Sequence, residues 1–481
     1  MRVLMLNPPF LASFSRGQRS PAVTRSGTLY YPIWLAYAAG ALEDAGHDVL
    51  LLDAPAEEMD EGEVMERARG FSPDLAVLET STPSVESDVG IADRLAAWVE
   101  TVLLVGTHPS ALPRQTLGLG EAFHGLVVGE YEMPLLGACR ALEEGSNLRE
   151  VGGLCLRTAD GPVLTGPGGK VDDLDSLPWV SRVYARHLPV HRYNNPNALH
   201  PQVMVMGGRG CPHRCSFCVF PQTLTGRRFR FRSVEDVVGE MLWVEENMPG
   251  VRAVFFEDDT ISVNRRRLRE LAAEMRRRGV SISWTANMRA DVDYETLLAC
   301  RKAGLRTVCV GFESGSPHLL RNMGKGITPD QMRSFARNAR RAGVLFHGCF
   351  MVGIRGETAE TMEQTLRLAL ELDPDTAQFY PLMVYPGTRA YSEAREDGNL
   401  LPTSWREWLD GEGLHSCVVR TEELSPDQLV EFCNYARRHF YLRPRYILRK
   451  LLASIRDPDE RHRTLKAFGT FWRYLFGRRG R

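Results

Sequence analysis

Short apolar runs alternate with amphipathic stretches over the first 140 residues. Residues 3–7, 47–52, 74–78, 101–105 and 125–128 are brief segments rich in Val and Leu, the length and composition of buried strands. Between them apolar positions recur three and four apart. The clearest such pattern, 32–45, stops at Gly46, a helix-ending residue. Strand–helix alternation at this pace predicts a doubly wound parallel sheet of Rossmann-like type, an α/β fold that binds ligands beyond the carboxyl ends of its strands. Those ends read Asn7-Pro8-Pro9, Asp53-Ala54-Pro55, Thr80-Ser81-Thr82-Pro83-Ser84, Gly106-Thr107-His108-Pro109-Ser110 and Gly129-Glu130-Tyr131-Glu132. No Gly-x-Gly-x-x-Gly follows the first run, which argues against a dinucleotide-binding sheet.

The alternation pauses over 141–200, where Gly161-Pro162 and Gly166-Pro167-Gly168-Gly169 predict a hairpin and then an irregular linker. It resumes with strands expected at 203–206, 253–256, 283–286, 308–311, 347–352 and 376–382. The expected organisation is a sheet domain over 1–140, a linker over 141–200, a second α/β unit over 201–400 and a helical, basic region over 401–481. That last region holds most of the local charge: from Arg437 onward there are 14 Lys/Arg against 3 Asp/Glu, interleaved with aromatics such as Tyr441, Tyr446, Trp472 and Phe476. Two readings fit it: helices packed on the body with solvated arginines, or a peripheral contact with an anionic membrane. Over the whole chain the formal charge is −1 and 43% of residues are apolar. This is an ordinary globular composition with no overall attraction to nucleic acid. No apolar run approaches a bilayer span, no signal peptide is apparent, and the scattered cysteines suit a reducing compartment. The expected location is cytoplasmic.

Three of the ten cysteines stand apart. Cys211, Cys215 and Cys218 are spaced Cys-x3-Cys-x2-Cys in Gly-Cys-Pro-His-Arg-Cys-Ser-Phe-Cys, with no fourth cysteine nearby. Structural zinc takes four ligands, and His213 lies between the cysteines, poorly placed to be the fourth. Three thiolates suit an iron–sulfur cubane that leaves one iron open, where an electron-carrying cluster takes four.

This loop resembles the signature of the radical S-adenosylmethionine (SAM) enzymes. That resemblance implies a [4Fe–4S] cluster on the three cysteines, SAM on the open iron, and a partial (β/α)6 barrel beginning near residue 202. It also implies SAM contacts at the barrel's strand ends: Phe217 beside the cluster, Asp258 and Asp259 in Glu257-Asp258-Asp259, Arg289, and Glu313 with Ser314 in Gly-x-Glu-Ser-Gly-Ser. Lys325-Gly326 and Tyr385-Pro386-Gly387-Thr388 match the class as well, whereas Arg355 stands where the class usually has proline. The five strand ends of the first domain resemble those of cobalamin-dependent members. The implied corrin neighbours are Asn7, Pro8, Thr80, Ser81, Thr82, Gly106, His108, Gly129 and Glu130. Gly106 occupies the position of the aspartate in Asp-x-His-x-x-Gly, so His108 is not assigned as a cobalt ligand.

Among subfamilies, enzymes of hopanoid cyclitol-ether formation look nearest, through Thr80 to Ser84, Gly208 to Cys211, Pro221-Gln222-Thr223 and Tyr441-x-Arg443-Pro444. The resemblance implies reductive cleavage of SAM, hydrogen removal from an unactivated carbon of a small-molecule substrate, and a reducing electron donor such as flavodoxin or ferredoxin. Methyl transfer through cobalamin leads; radical ring contraction or rearrangement of a hopanoid-linked sugar is second, and a non-enzymatic cobalamin sensor third. Methylthiolation is disfavoured, because only Cys139 and Cys155 precede the triplet. No residue of the sequence stands out as acting directly on the substrate.

Overall fold

The computed structural model describes residues 1–461, 464 and 469, so the final part of the tail expected to touch a membrane lies outside the described residues. Two parallel sheets carry the molecule. The first orders β2 (Asp48–Asp53), β1 (Arg2–Asn7), β3 (Leu75–Thr80), β4 (Thr101–Gly106) and β5 (Gly125–Val127) as β2-β1-β3-β4-β5, all parallel. Every residue of β3 and β4 is buried, as expected for strands covered on both faces. The order reverses between β1 and β3, which opens a crevice beyond their carboxyl ends. The hairpin β6 (Leu154–Leu156) and β7 (Val163–Leu164) extends this sheet antiparallel to β5.

The second sheet curls through β8 (Gln202–Val205), β11 (Ala253–Phe256), β12 (Ser283–Met288), β13 (Leu305–Glu313), β14 (Leu345–Val352) and β15 (Thr376–Pro381) in that spatial order, six parallel strands. A small ribbon, β9 (Gly208–Arg209) with β10 (Arg230–Phe231), brackets the cysteine loop. β13 runs past the expected 308–311 and slips register between Gly311 and Glu313. Residues 401–425 form an irregular strap with one short helical turn at Trp405–Trp408; regular helix begins at Pro426.

One helix joins the two sheets. Ile33–Asp44 is buried over ten of its twelve residues, the mark of a helix apolar all round. Its Tyr37 hydroxyl accepts from the Met206 amide at 3.3 Å, and Trp34 meets Phe220 edge-on at 5.5 Å. Gly40 lets it approach the linker, since a Cβ there would lie 2.7 Å from Pro178 Cγ. The main core therefore runs unbroken from one face of the first sheet into the barrel, and a second core covers the first sheet's other face.

Candidate functional site

The strand ends of the first sheet hold a buried polar network. Asn7 Nδ2 donates to Asp53 Oδ1 at 2.7 Å, and Asn7 Oδ1 accepts from Arg16 at 2.9 Å. Arg16 donates two bonds to Asp88, at 2.7 and 3.1 Å; Ser84 donates to Asp88 at 2.6 Å and lies 2.9 Å from the Ser81 hydroxyl. Asn7 and Ser81 thus have protein partners and shape the floor of the crevice. Burial pushes the Asp53 carboxyl up to about 6 and Glu79 up to about 7, since desolvation disfavours the ionised form.

Other groups at this edge are left open. The Thr80 hydroxyl, the His108 Nε2 and Glu79 Oε2 are buried without a partner, a state uncommon unless a ligand or water completes it. His108 Nδ1 is 3.1 Å from the Thr82 hydroxyl, its ring meets Trp405 edge-on at 4.7 Å, and burial holds its pKa down at about 3. The imidazole is therefore neutral. Gly106 has φ +134°, and a Cβ would fall 2.1 Å from the Thr80 carbonyl. Ser110 ties the neighbouring turn together, donating to Gly106 O at 2.7 Å and accepting from the Gly129 amide at 3.0 Å.

The Glu130 side chain is engaged within the protein. Its carboxylate is bidentate to Arg230, with one contact at 3.0 Å, while Glu132 pairs with Arg209 at 2.8 Å. All four side chains are at most 4% exposed. Because Arg209 and Arg230 stand on β9 and β10, these pairs lock the first domain to the ribbon around the cysteine loop.

At the barrel mouth the loop of Cys211, Cys215 and Cys218 is held by its backbone. Gly210, at φ +92°, sits where a Cβ would be 2.2 Å from Arg228 O. The Gln222 amide donates to Cys218 O at 2.8 Å and Ser216 O at 3.2 Å, and the Ser216 amide donates to Met323 O at 2.8 Å. Cys211 and Cys215 are buried and Cys218 half-buried. No three His, Cys, Asp or Glu side chains among the described residues close on a single-ion site. A cubane does not require that, because each thiolate takes a separate corner.

Around this loop lie the acidic strand ends. Asp258 accepts from the Gly207 amide at 2.9 Å, and burial raises its pKa to about 7. Asp259 accepts from the Thr225 hydroxyl at 3.1 Å. Glu313 accepts from Lys325 Nζ at 2.7 Å, and Lys325 Nζ lies 5.9 Å from the centre of the Phe217 ring. Asp258 Oδ1, Asp259 Oδ1 and Glu313 Oε2 are buried without hydrogen-bond partners. Arg19 approaches Asp259 Oδ1 at 3.6 Å; the open Asp258 and Glu313 oxygens beside a three-thiol loop fit the ammonium and ribose hydroxyls of SAM, just as the open Thr80 and His108 atoms above a glycine-cut turn fit a bulky amide-rimmed corrin. Two expected contacts are occupied internally. Arg289 donates to the carbonyls of Lys325 and Gly326, at 2.9 and 3.3 Å, and Ser314 Oγ is 3.2 Å from the Thr365 hydroxyl while accepting from the Ser316 amide.

The residues that sequence reasoning missed come from the long proline-containing loop 8–32. Arg16 enters the first sheet's edge, and three residues later Arg19 enters the second. Arg19 pairs with the Glu257 carboxylate and donates to Glu257 O and Asp258 O, both at 3.0 Å. Ser20 Oγ is 3.0 Å from both the Tyr385 hydroxyl and His415 Nε2. The signal in sequence was a set of arginines, Arg16, Arg19 and Arg25, in a loop too long to be a plain connection.

The fold and its two facing sets of strand ends define a two-domain α/β enzyme, a cobalamin-type sheet docked on a radical SAM barrel. Family models agree: the B12 binding domain matches residues 19–137 and the Radical SAM superfamily residues 205–369. This chain belongs to the cobalamin-dependent radical SAM enzymes, whose cofactors are a [4Fe–4S] cluster, SAM and cobalamin. An uncharacterized methyltransferase of Pyrococcus horikoshii is 30% identical over 455 residues, 94% of this chain and 95% of that protein. The anaerobic magnesium-protoporphyrin IX monomethyl ester cyclase of Rubrivivax gelatinosus is 29% identical over 82% of this chain and 70% of its own. Among solved structures, the radical SAM methyltransferase TsrM of Kitasatospora setae, with tryptophan substrate and a SAM analogue bound, superposes with a TM-score of 0.71. It shares 22% identity and covers 91% of this chain and 90% of TsrM; the likeness is one of fold.

Proposed function

We propose that this enzyme transfers a methyl group to an unactivated carbon of a small-molecule substrate. The observation that supports the reading is the loop 8–32, whose Arg16 bonds at the first sheet's strand ends and whose Arg19, three residues on, bonds at the barrel's. The likeness to a protein named as a methyltransferase over nearly its full length supports it. When bound, the cluster with SAM supplies one-electron bond cleavage and cobalamin a methyl carrier.

The chain's own residues do the positioning. Cys211, Cys215 and Cys218 would hold the cluster; Asp258 and Glu313 would present open carboxylate oxygens to SAM, with Asp259, which Arg19 approaches at 3.6 Å, and Phe217 nearby. Lys325 fixes Glu313, and Arg289 fixes the Lys325-Gly326 turn. Thr80, Thr82 and the neutral His108 would line the corrin's site, and Gly106 and Gly129 would leave it free of side chains. Trp405 and the strap 401–425 cover that edge and exclude water. A reducing protein partner delivers the electron.

Ring formation is the second reading, favoured by the cyclase relative at 29% identity. Anaerobic incubation of reconstituted enzyme with SAM, hydroxocobalamin (so that the methyl group can come only from SAM) and a reductant separates the two by mass spectrometry of the SAM products. Methyl transfer requires S-adenosylhomocysteine together with 5′-deoxyadenosine. If 5′-deoxyadenosine forms alone, methylation is wrong and rearrangement or ring closure stands.

A further inference from the structure

The helix Pro444–Arg456 is turned inside out. A surface helix normally buries its apolar stripe and shows water its charges. Here the inward face is polar. Tyr446 donates to Asp375 O at 2.9 Å, Arg449 pairs with Asp373, and Lys450 faces Glu460 at 3.6 Å. The apolar side chains point the other way: Leu448 is 59% exposed, Leu451 55% and Ile455 79%, with Ile447 and Leu452 beside them above 40%. Spacings of three, four and seven put these five on one arc of the helix. Contiguous exposed aliphatic surface of this kind marks an interaction site.

Charge identifies the partner. Three acidic residues lie in the stretch from Arg437 to the end of the chain, and all three are drawn toward the barrel. Asp457 and Glu460 meet Arg306 at 3.5 and 2.7 Å, and Asp459 meets Arg252 at 2.9 Å. Basic residues on this helix and to either side of it in sequence are left without acidic partners. Arg438, Arg445 and Arg461 are exposed and make no ion pair among the described residues. An open pocket of about 740 Å³ lies against the arc, with Leu448 and Leu452 on one wall and Arg340, Arg443, Arg445 and Arg449 around it. Its acids are already engaged: Asp373 with Arg443 and Arg449, and Glu371 with Arg333. A second copy of this face would bring two basic surfaces together. The chain beyond Arg461 is itself basic in sequence, with Arg463, Lys466, Arg473, Arg478, Arg479 and Arg481.

We propose that this face docks on an anionic phospholipid membrane, with Leu448, Leu451 and Ile455 entering the headgroup boundary and Arg445 with its neighbours taking lipid phosphates. Aliphatic insertion beside basic side chains is how interfacial helices bind. The inference does not depend on methyl transfer, since it concerns where the enzyme sits and not what it makes.

The test is co-sedimentation of the full-length protein with vesicles of phosphatidylcholine alone or mixed with phosphatidylglycerol, beside sedimentation velocity without lipid. The expected result is binding to the mixed vesicles that raised salt weakens. Leu451→Glu/Ile455→Glu should lower it by about tenfold or more, and so should Arg445→Glu. These positions are exposed and remote from the cluster, so SAM cleavage in the absence of vesicles should match wild type in each variant, which confirms folding. Wild type remaining in the supernatant with both vesicle types overturns the proposal, as does wild-type binding by the variants. Lipid-independent dimerisation that Leu451→Glu/Ile455→Glu abolishes also overturns it, and assigns the face to self-association.

Discussion

Glu313 shows how much one position depends on its neighbours. Its backbone has φ +68°, a region costly for a residue with a side chain. The side chain curls back over Gly311, where a Cβ would lie 2.0 Å from Glu313 Oε1. Burial works against the Lys325 ammonium, and the Glu313 carboxylate more than offsets it, so the lysine stays charged. Glu313→Gln keeps the shape but removes the charge. SAM affinity of the reconstituted protein, read by equilibrium dialysis, should fall about tenfold or more, while the cluster's absorbance is retained. Urea denaturation of the same variant should show a loss of roughly 3 kcal/mol, the cost of a buried lysine without its anion. Glu357 behaves in the opposite sense. Burial raises its pKa from 4.5 to about 7, so the folded chain holds a proton that the unfolded chain releases. The stability tied to that proton is full below pH about 4.5 and is lost as pH rises through about 7, up to about 3 kcal/mol. Glu357→Gln should therefore melt higher than wild type at pH 8 and no higher at pH 4.5, measured by thermal denaturation at each pH.

At the scale of elements, the turns after the strands do the selecting. Gly106 follows β4 at φ +134° with no room for a side chain against Thr80. Gly106→Ala should destabilise by at least about 3 kcal/mol and lower cobalamin retained after reconstitution, both read on one sample by melting and corrin absorbance. The strands themselves were legible, because residues 3–7 or 101–105 are apolar enough to be buried on both faces whatever surrounds them. The strap 401–425 was not legible. Its sequence has neither helical nor strand period, and its place is set by single contacts: Trp408 Nε1 on Val384 O at 2.8 Å, Trp405 on His108 and His415 on Ser20. Burial holds the His415 pKa at about 4, so that contact is made by a neutral ring.

For the whole molecule, the decisive contact is between domains. Arg209 on β9 pairs with Glu132 of the first domain at 2.8 Å and lies over the Tyr37 ring at 4.7 Å. Arg209→Met should cost about 3–5 kcal/mol by stranding a buried carboxylate. Arg209→Met with Glu132→Met should recover part of that loss, which a double-mutant cycle in urea measures. The sequence by itself determined the two parallel sheets, the three-thiol loop and the order of the strand ends, because burial pattern and ligand spacing are local properties of a chain. It could not say which polar groups at those ends stay open. Asn7, Ser81, Glu130 and Ser314 are satisfied by partners from 2 to 100 residues away, whereas Thr80, His108, Asp258 and Glu313 each keep an unpartnered atom. Only the tertiary structure decided that division, since a hydrogen-bonding group's availability depends on what the fold brings within 3 Å of it. The same holds for Arg19 and for the outward-facing leucines of the helix Pro444–Arg456, whose residue types were visible and whose surroundings were not.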